Sequence, residues 1–157
     1  MLEGSVDQYS IPQQEKQTSP ISMIVGTSVL TLLLPTAAIA LLELLEQIEF
    51  GSESRLLISG MLFSLTIISI LLISGLYLIG FLQSDNLKMR AGIYLIALSG
   101  INLLLRVINL NDQLEMNNEL GWWGDLSWFE FMQWPQTHEQ LELALLGIII
   151  GALIMKK

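Results

Sequence analysis

Apolar residues in this chain come in four long runs, not in the alternation of a half-buried strand or the stripe of an amphipathic surface helix. The runs extend from about Ile21 to Leu45, Leu56 to Leu82, Met89 to Leu110 and His138 to Met155. Hydrocarbon offers a peptide group no hydrogen-bond partner, so a chain crossing a bilayer satisfies its backbone internally. About 20 helical residues then cover about 30 Å. The first three runs reach that length. The fourth is marginal, because Glu142 leaves only Leu143 to Met155 uninterrupted. It reads as a short, mismatched span, or as one that carries Glu142 below the interface with a partner. Short connections before and after the second run imply antiparallel neighbours. The pattern predicts an all-α integral membrane protein with four transmembrane helices in an up-down-up-down bundle.

Residues 1–20 are polar, Gln-rich and broken by Pro12 and Pro20, and read as a loosely docked tail ahead of the membrane domain 21–157. Ala38-Ile39-Ala40 has the small-residue pattern of a signal-peptidase site. No basic segment precedes it and the chain stays apolar beyond it, so a retained helix is expected. Basic residues set the orientation. Lys16, Lys88, Arg90, Lys156 and Lys157 fall on one side of the four spans and Arg55 alone on the other. Both termini are therefore expected on the inner, basic side. The outer side carries Glu46, Glu49 and Glu53 in one loop, Asp112, Glu115, Glu119, Asp125 and Glu130 in the loop 111–137, and Glu139 just after it.

Composition narrows the function. Of 157 residues, 52% are hydrophobic and 14% charged. No cysteine is present, which removes disulfides, thiolate nucleophiles and cysteine-held metals. The single histidine, His138, excludes a bis-histidine haem within one chain. A net charge of −8 argues against nucleic acid as a partner. No nucleotide motif or nucleophile–base constellation appears, so no enzymatic activity and no cofactor are expected.

The polar residues inside the third run carry the most information. Ser99, Asn102, Arg106, Asn109 and Gln113 recur at steps of three and four, on one helical face. Such a stripe is expected to face the fold or another protein rather than lipid. Arg106 is permanently charged, and burying it unpaired costs on the order of several kcal/mol. Counting depth along the helices brings Glu142 to its level and leaves Glu43 and Glu46 slightly shallower. Arg106 is therefore expected to pair with Glu142, with Glu43 as second choice, in a buried cluster with Asn102 and Asn109. The cluster reads as a lock on helix register or as a charged constriction near the outer mouth.

Pro35 in the first run frees the carbonyl of Thr31 and is expected to kink the helix, with Thr27, Thr31 and Thr36 covering loose backbone groups. Small residues fill the second run (Ser59, Gly60, Ser64, Ser69, Ser74, Gly75, Gly80), and Gly147 and Gly151 form a G-x-x-x-G in the fourth, with Ala144 one turn earlier. Small residues permit close helix approach, so these positions, Gly75 among them, are expected to pack either within the chain or against another subunit. Residues Ser99 to Val107 (SGINLLLRV) resemble the third span of the YqhA-type family of small four-helix bacterial membrane proteins. The resemblance covers that one helix, and no function is carried over from it.

All four tryptophans, Trp122, Trp123, Trp128 and Trp134, lie with Phe129 and Phe131 in the outer loop. Ser127 and Glu130 have capping-box spacing, predicting a short interfacial helix from about Trp128 to Trp134 that Pro135 stops. Indole favours the membrane–water boundary, so these rings are expected to meet lipid or to dock a partner. The chain as a whole reads as a non-catalytic membrane subunit or accessory protein that packs laterally on a larger complex or on itself. The alternative is a small homo-oligomeric ion channel lined by the polar face of the third helix. A bacterial inner membrane is the expected location, with thylakoid or archaeal membranes as alternatives.

Overall fold

The computed structural model describes residues 19–49 and 54–156, apart from the side chains of 54–56, 135, 136, 139 and 140. The tail 1–18, with Lys16, as well as Glu53 and Lys157, lie outside the described residues. Every regular element described is a helix: α1 (Pro20–Thr31), α2 (Leu33–Glu49), α3 (Ser54–Leu78), α4 (Asp85–Leu120), α5 (Trp128–Met132) and α6 (Pro135–Met155). Three helical stretches are long and apolar enough to cross a membrane: Pro20–Glu49, Leu57–Leu78 and Asp85–Leu120. The apolar part of α6, Leu141–Met155, is shorter.

Local chemistry sets the helix ends. Pro20 does not break the tail but opens α1, where its missing N–H costs nothing, and the Ser22 N–H donates to the Ser19 hydroxyl at 3.1 Å. The run that follows is interrupted at Leu32, three residues before Pro35, as the missing Pro35 N–H requires. The hydroxyls of Thr27, Thr31 and Thr36 donate to the carbonyls of Met23, Ser28 and Leu32, and none of the three covers Thr31. Gly80 ends α3. Its φ of 83° lets the Gly80 N–H reach the Tyr77 carbonyl and the Phe81 N–H reach Leu76, a Schellman cap. Gly80 thus serves a turn and not the small-residue face expected of it.

Two boundaries differ from the hydropathy reading. α4 does not stop near Leu110 but continues ten residues to Leu120, about 15 Å further. Residues 111–120 are polar yet contain good helix formers, and Leu114 and Asn117 have buried sites to fill there. α6 begins at Pro135, which occupies its first turn, and so Pro135 starts a helix instead of stopping one.

Contacts pair α3 antiparallel with α1–α2 and with α4, and α4 antiparallel with α6. Gly26 lies against Ile79 and Gly60 against Gln47, which pairs α1 and α2 with α3. Asn109 bonds Ser59 across α4 and α3. Gly92 lies against Gly151, and Gly147 against Ser99, across α4 and α6. The most extensive packing joins α4 to α6, with α3 laid across both and α1–α2 packed chiefly on α3. The arrangement is therefore layered and not a square bundle: no residue of α2 is buried. One apolar core holds Ile70, Ile73, Leu82, Leu95 and Ile154, and a second, at the end of the fold that carries α5, joins Leu110, Leu114 and Phe131.

Candidate functional site

The close contact of α4 and α6 fixes everything near Arg106. Ala144 is fully buried, and Gly147, Gly151 and Ile154 continue the same face of α6 against α4. A methyl group on Gly151 would sit 2.8 Å from the Gly92 carbonyl oxygen, and one on Gly147 would meet Ser99 and, at 3.1 Å, Ile70. Backbone approach this tight needs glycine on both helices, so the G-x-x-x-G packs within the chain. Gly92, its counterpart on α4, was not singled out from sequence, because it has no second small residue at helical spacing in a recognised motif. Gly75 fills the same role between α3 and α1, against Leu30 and the Gly26 carbonyl.

That face determines where Glu142 points. Two residues before Ala144 is 200° around the helix, so Glu142 is turned away from α4 and is exposed. The expected Arg106–Glu142 ion pair is accordingly not formed. The depths of the two residues do agree. Gly147 faces Ser99, and five residues from each, toward α5, lie Glu142 and Leu104. Glu142 is then displaced from Arg106 by two residues, about 3 Å, along the helix axis.

Arg106 instead reaches the other way, across α3. Its guanidinium carbon lies 5.4 Å from the centre of the Phe63 ring, a cation–π distance. Its Nε is buried without a hydrogen-bond partner. The side chain borders a groove of about 750 Å³ between α2 and α3, whose wall also includes Glu43, Gln47, Gly60 and Ser64. Glu43 is exposed rather than buried and makes no ion pair with Arg106. The Gln47 side-chain amide oxygen is buried and unpartnered. Two buried polar atoms without an internal partner, Arg106 Nε and Gln47 Oε1, thus belong to residues that line this groove.

The remaining stripe of α4 turns inward. Ser99 and Asn102 are fully buried, and neither the Ser99 hydroxyl nor the Asn102 amide has a hydrogen-bond partner among the described residues. Asn109 is buried and donates to the Ser59 hydroxyl at 3.0 Å. Gln113 is exposed. No three of His, Asp and Glu converge as metal ligands among the described residues.

At the C-terminal end of α4, α5 has the capping box its sequence predicts. The Ser127 N–H and hydroxyl both donate to the Glu130 carboxylate, at 2.9 and 2.7 Å, and the Glu130 N–H donates back to Ser127. These bonds hold the Glu130 carboxyl below its ordinary range. α5 ends at Met132, and Thr137 ties it to α6 by donating to the Phe131 and Trp134 carbonyls. Phe131 is buried on Leu110 and Leu114, and Trp134 packs edge-on to Trp123 at 5.7 Å. Asn117 and Asn118 pin the loop by bonding Gly124 and Leu126, and the Trp128 indole donates to Asn111. Trp122, Trp123 and Phe129 stay exposed, at 63%, 67% and 76%.

Comparison of the chain with protein-family models, with curated proteins and with solved structures returned no match.

Proposed function

We propose that this protein is a non-catalytic, multi-pass membrane component that associates laterally with protein, a larger complex or its own copies, through membrane-level surfaces. In this reading four helical stretches cross the bilayer, α1–α2, α3, α4 and α6, with both ends of the chain on the basic side and α5 at the outer interface. The antiparallel contacts support it, as does the equal height of α6 and the inner part of α4, which lets Pro135–Met155 cover the same depth as 91–110.

One observation carries the association. Within that depth Glu142 is exposed and Arg106 keeps a buried Nε without a partner. An unmatched charge costs about 2.5–3.5 kcal/mol at the centre of a membrane helix and less toward its ends, so a surface that displays both signs is suited to a polar partner rather than to acyl chains. Nothing of comparable chemistry supports catalysis. The channel alternative is less favoured, because Ser99 and Asn102, which would line the pathway, turn into the fold. Purification from native membranes in a mild detergent tests the proposal. A defined assembly, of like or unlike chains, is expected. A chain that runs as a monomer with lipid alone, at every detergent concentration, would refute it.

A further inference from the structure

Arg106 and Glu142 do not meet within one chain, yet they are opposite in charge, close in depth and on different faces. Arg106 opens into the groove between α2 and α3. Glu142 stands on the outward ridge of α6 with Leu145, Leu146, Ile149 and Leu153, all exposed, at the spacing of one helical face. From this we propose that the groove receives the α6 ridge of a second copy of this chain, with Glu142 of that copy paired to Arg106. The inference rests on the lateral-association reading and names its partner.

Membrane geometry favours a second copy over other occupants. Copies inserted with the same orientation are related by rotation about the bilayer normal, which leaves every residue at its own depth. A charge that finds its complement about 3 Å away in depth inside one chain therefore finds it at the same offset in the neighbour. The contact is head-to-tail, ridge into groove, so each copy offers both halves and can take one neighbour on each side. The groove is built to take a ridge. Ala37 and Ala40 keep the α2 wall low, and Gly60 does so on α3. Glu43 also lines the groove but is exposed and makes no ion pair with Arg106 in its own chain, which leaves the guanidinium to the incoming carboxylate.

The register locates the contact for cross-linking. Gln47 faces Gly60, Ser59 faces Asn109 and Ser99 faces Gly147. Stepping along these pairs brings Ala40 to within about one residue of the depth of Leu145. The chain has no cysteine, so introduced thiols are the only ones. Chains carrying Ala40→Cys and chains carrying Leu145→Cys, differently tagged, are co-expressed and oxidised in phosphatidylcholine–phosphatidylglycerol vesicles. A disulfide between unlike tags is expected, well above the yield from either variant alone. Adding Arg106→Glu to the first chain, or Glu142→Arg to the second, should reduce it about tenfold or more. Adding both at once should restore it, which also shows that each reversed chain folds.

The outcomes separate the two ideas. An assembly without this cross-link, or a cross-link indifferent to the reversals, overturns the Arg106–Glu142 contact and leaves lateral association standing. Co-purification of unlike subunits by a chain that is otherwise monomeric does the same. A monomeric chain that retains a phospholipid by native mass spectrometry, and loses it on Arg106→Glu, overturns both in favour of a lipid headgroup.

Discussion

Gly151 and Gly100 lie in different packing environments, and that contrast offers a direct test of the helix packing. Both sit inside helices at ordinary backbone angles. A methyl group on Gly100 meets nothing within 4 Å, whereas one on Gly151 lies 2.8 Å from the Gly92 carbonyl oxygen, 2.9 Å from Ile96 and 3.2 Å from Leu95. Alanine gains about 0.8–1.0 kcal/mol over glycine in a helix interior. Overpacking costs about 1–3 kcal/mol, and here the obstacle is backbone, which cannot rotate away. Gly100→Ala should therefore stabilise the protein by nearly 1 kcal/mol, and Gly151→Ala should leave it unchanged or weaken it by up to about 2 kcal/mol. The propensity gain is common to both, so their difference isolates the packing cost, about 1–3 kcal/mol. Reversible unfolding in mixed micelles, followed by circular dichroism against the mole fraction of SDS, measures both. Equal stability of the two variants would refute the α4–α6 contact, and with it the argument that turns Glu142 outward.

Four other consequences are open to measurement. Asn102→Leu replaces a fully buried, unpartnered amide by an apolar group of similar size and should stabilise by about 1–3 kcal/mol in the same titration; a loss would mean that the amide holds something polar. The Ser59–Asn109 bond should show a coupling of about 0.6–1.7 kcal/mol in a double-mutant cycle, and zero coupling would remove it as a tie between α3 and α4. Glu130 has its pKa lowered by Ser127, so its contribution to α5 is complete above the ordinary carboxylate value of 4.5 and is lost as pH falls through the depressed one. Tryptophan emission should change in that acid window and, in Ser127→Ala, at higher pH; an unchanged profile in the variant would contradict the assignment. Bromolipids labelled near the headgroup should quench Trp122 and Trp123 more than those labelled at the chain end, whereas depth-independent quenching would place them off the interface.

How far the sequence could be read depended on what kind of quantity was sought. Element type and the inward turn of Asn102 and Asn109 follow from hydropathy and from period alone. The capping box was equally visible, because Ser127 and Glu130 supply both of its halves within four residues. Two boundaries were hidden for a shared reason: hydropathy marks where apolar sequence stops, not where a helix does. α4 therefore runs past Leu110 through polar residues that the second core needs, and Pro135 looked like a stop until the helix after it was seen to start there. Gly92 and the Asn117–Asn118 anchors left no signal, since each takes its meaning from a residue contributed by another segment.

The missed ion pair is the more instructive case. Depth in a membrane helix accumulates at a fixed rise per residue, so it can be counted from the chain, and the near-equal levels of Arg106 and Glu142 were obtained that way. Rotation about the helix axis cannot be counted in the same manner. It is set by which residues allow the closest approach, and here Ala144, Gly147 and Gly151 claim the face toward α4. Once they do, a charge two residues away must point outward. A sequence that needed only an internal lock could have shifted the acid by one or two positions and placed it beside Arg106. Keeping the depth match while facing the charges apart is unfavourable for an isolated chain in lipid, and the proposed contact between identically oriented copies would relieve it.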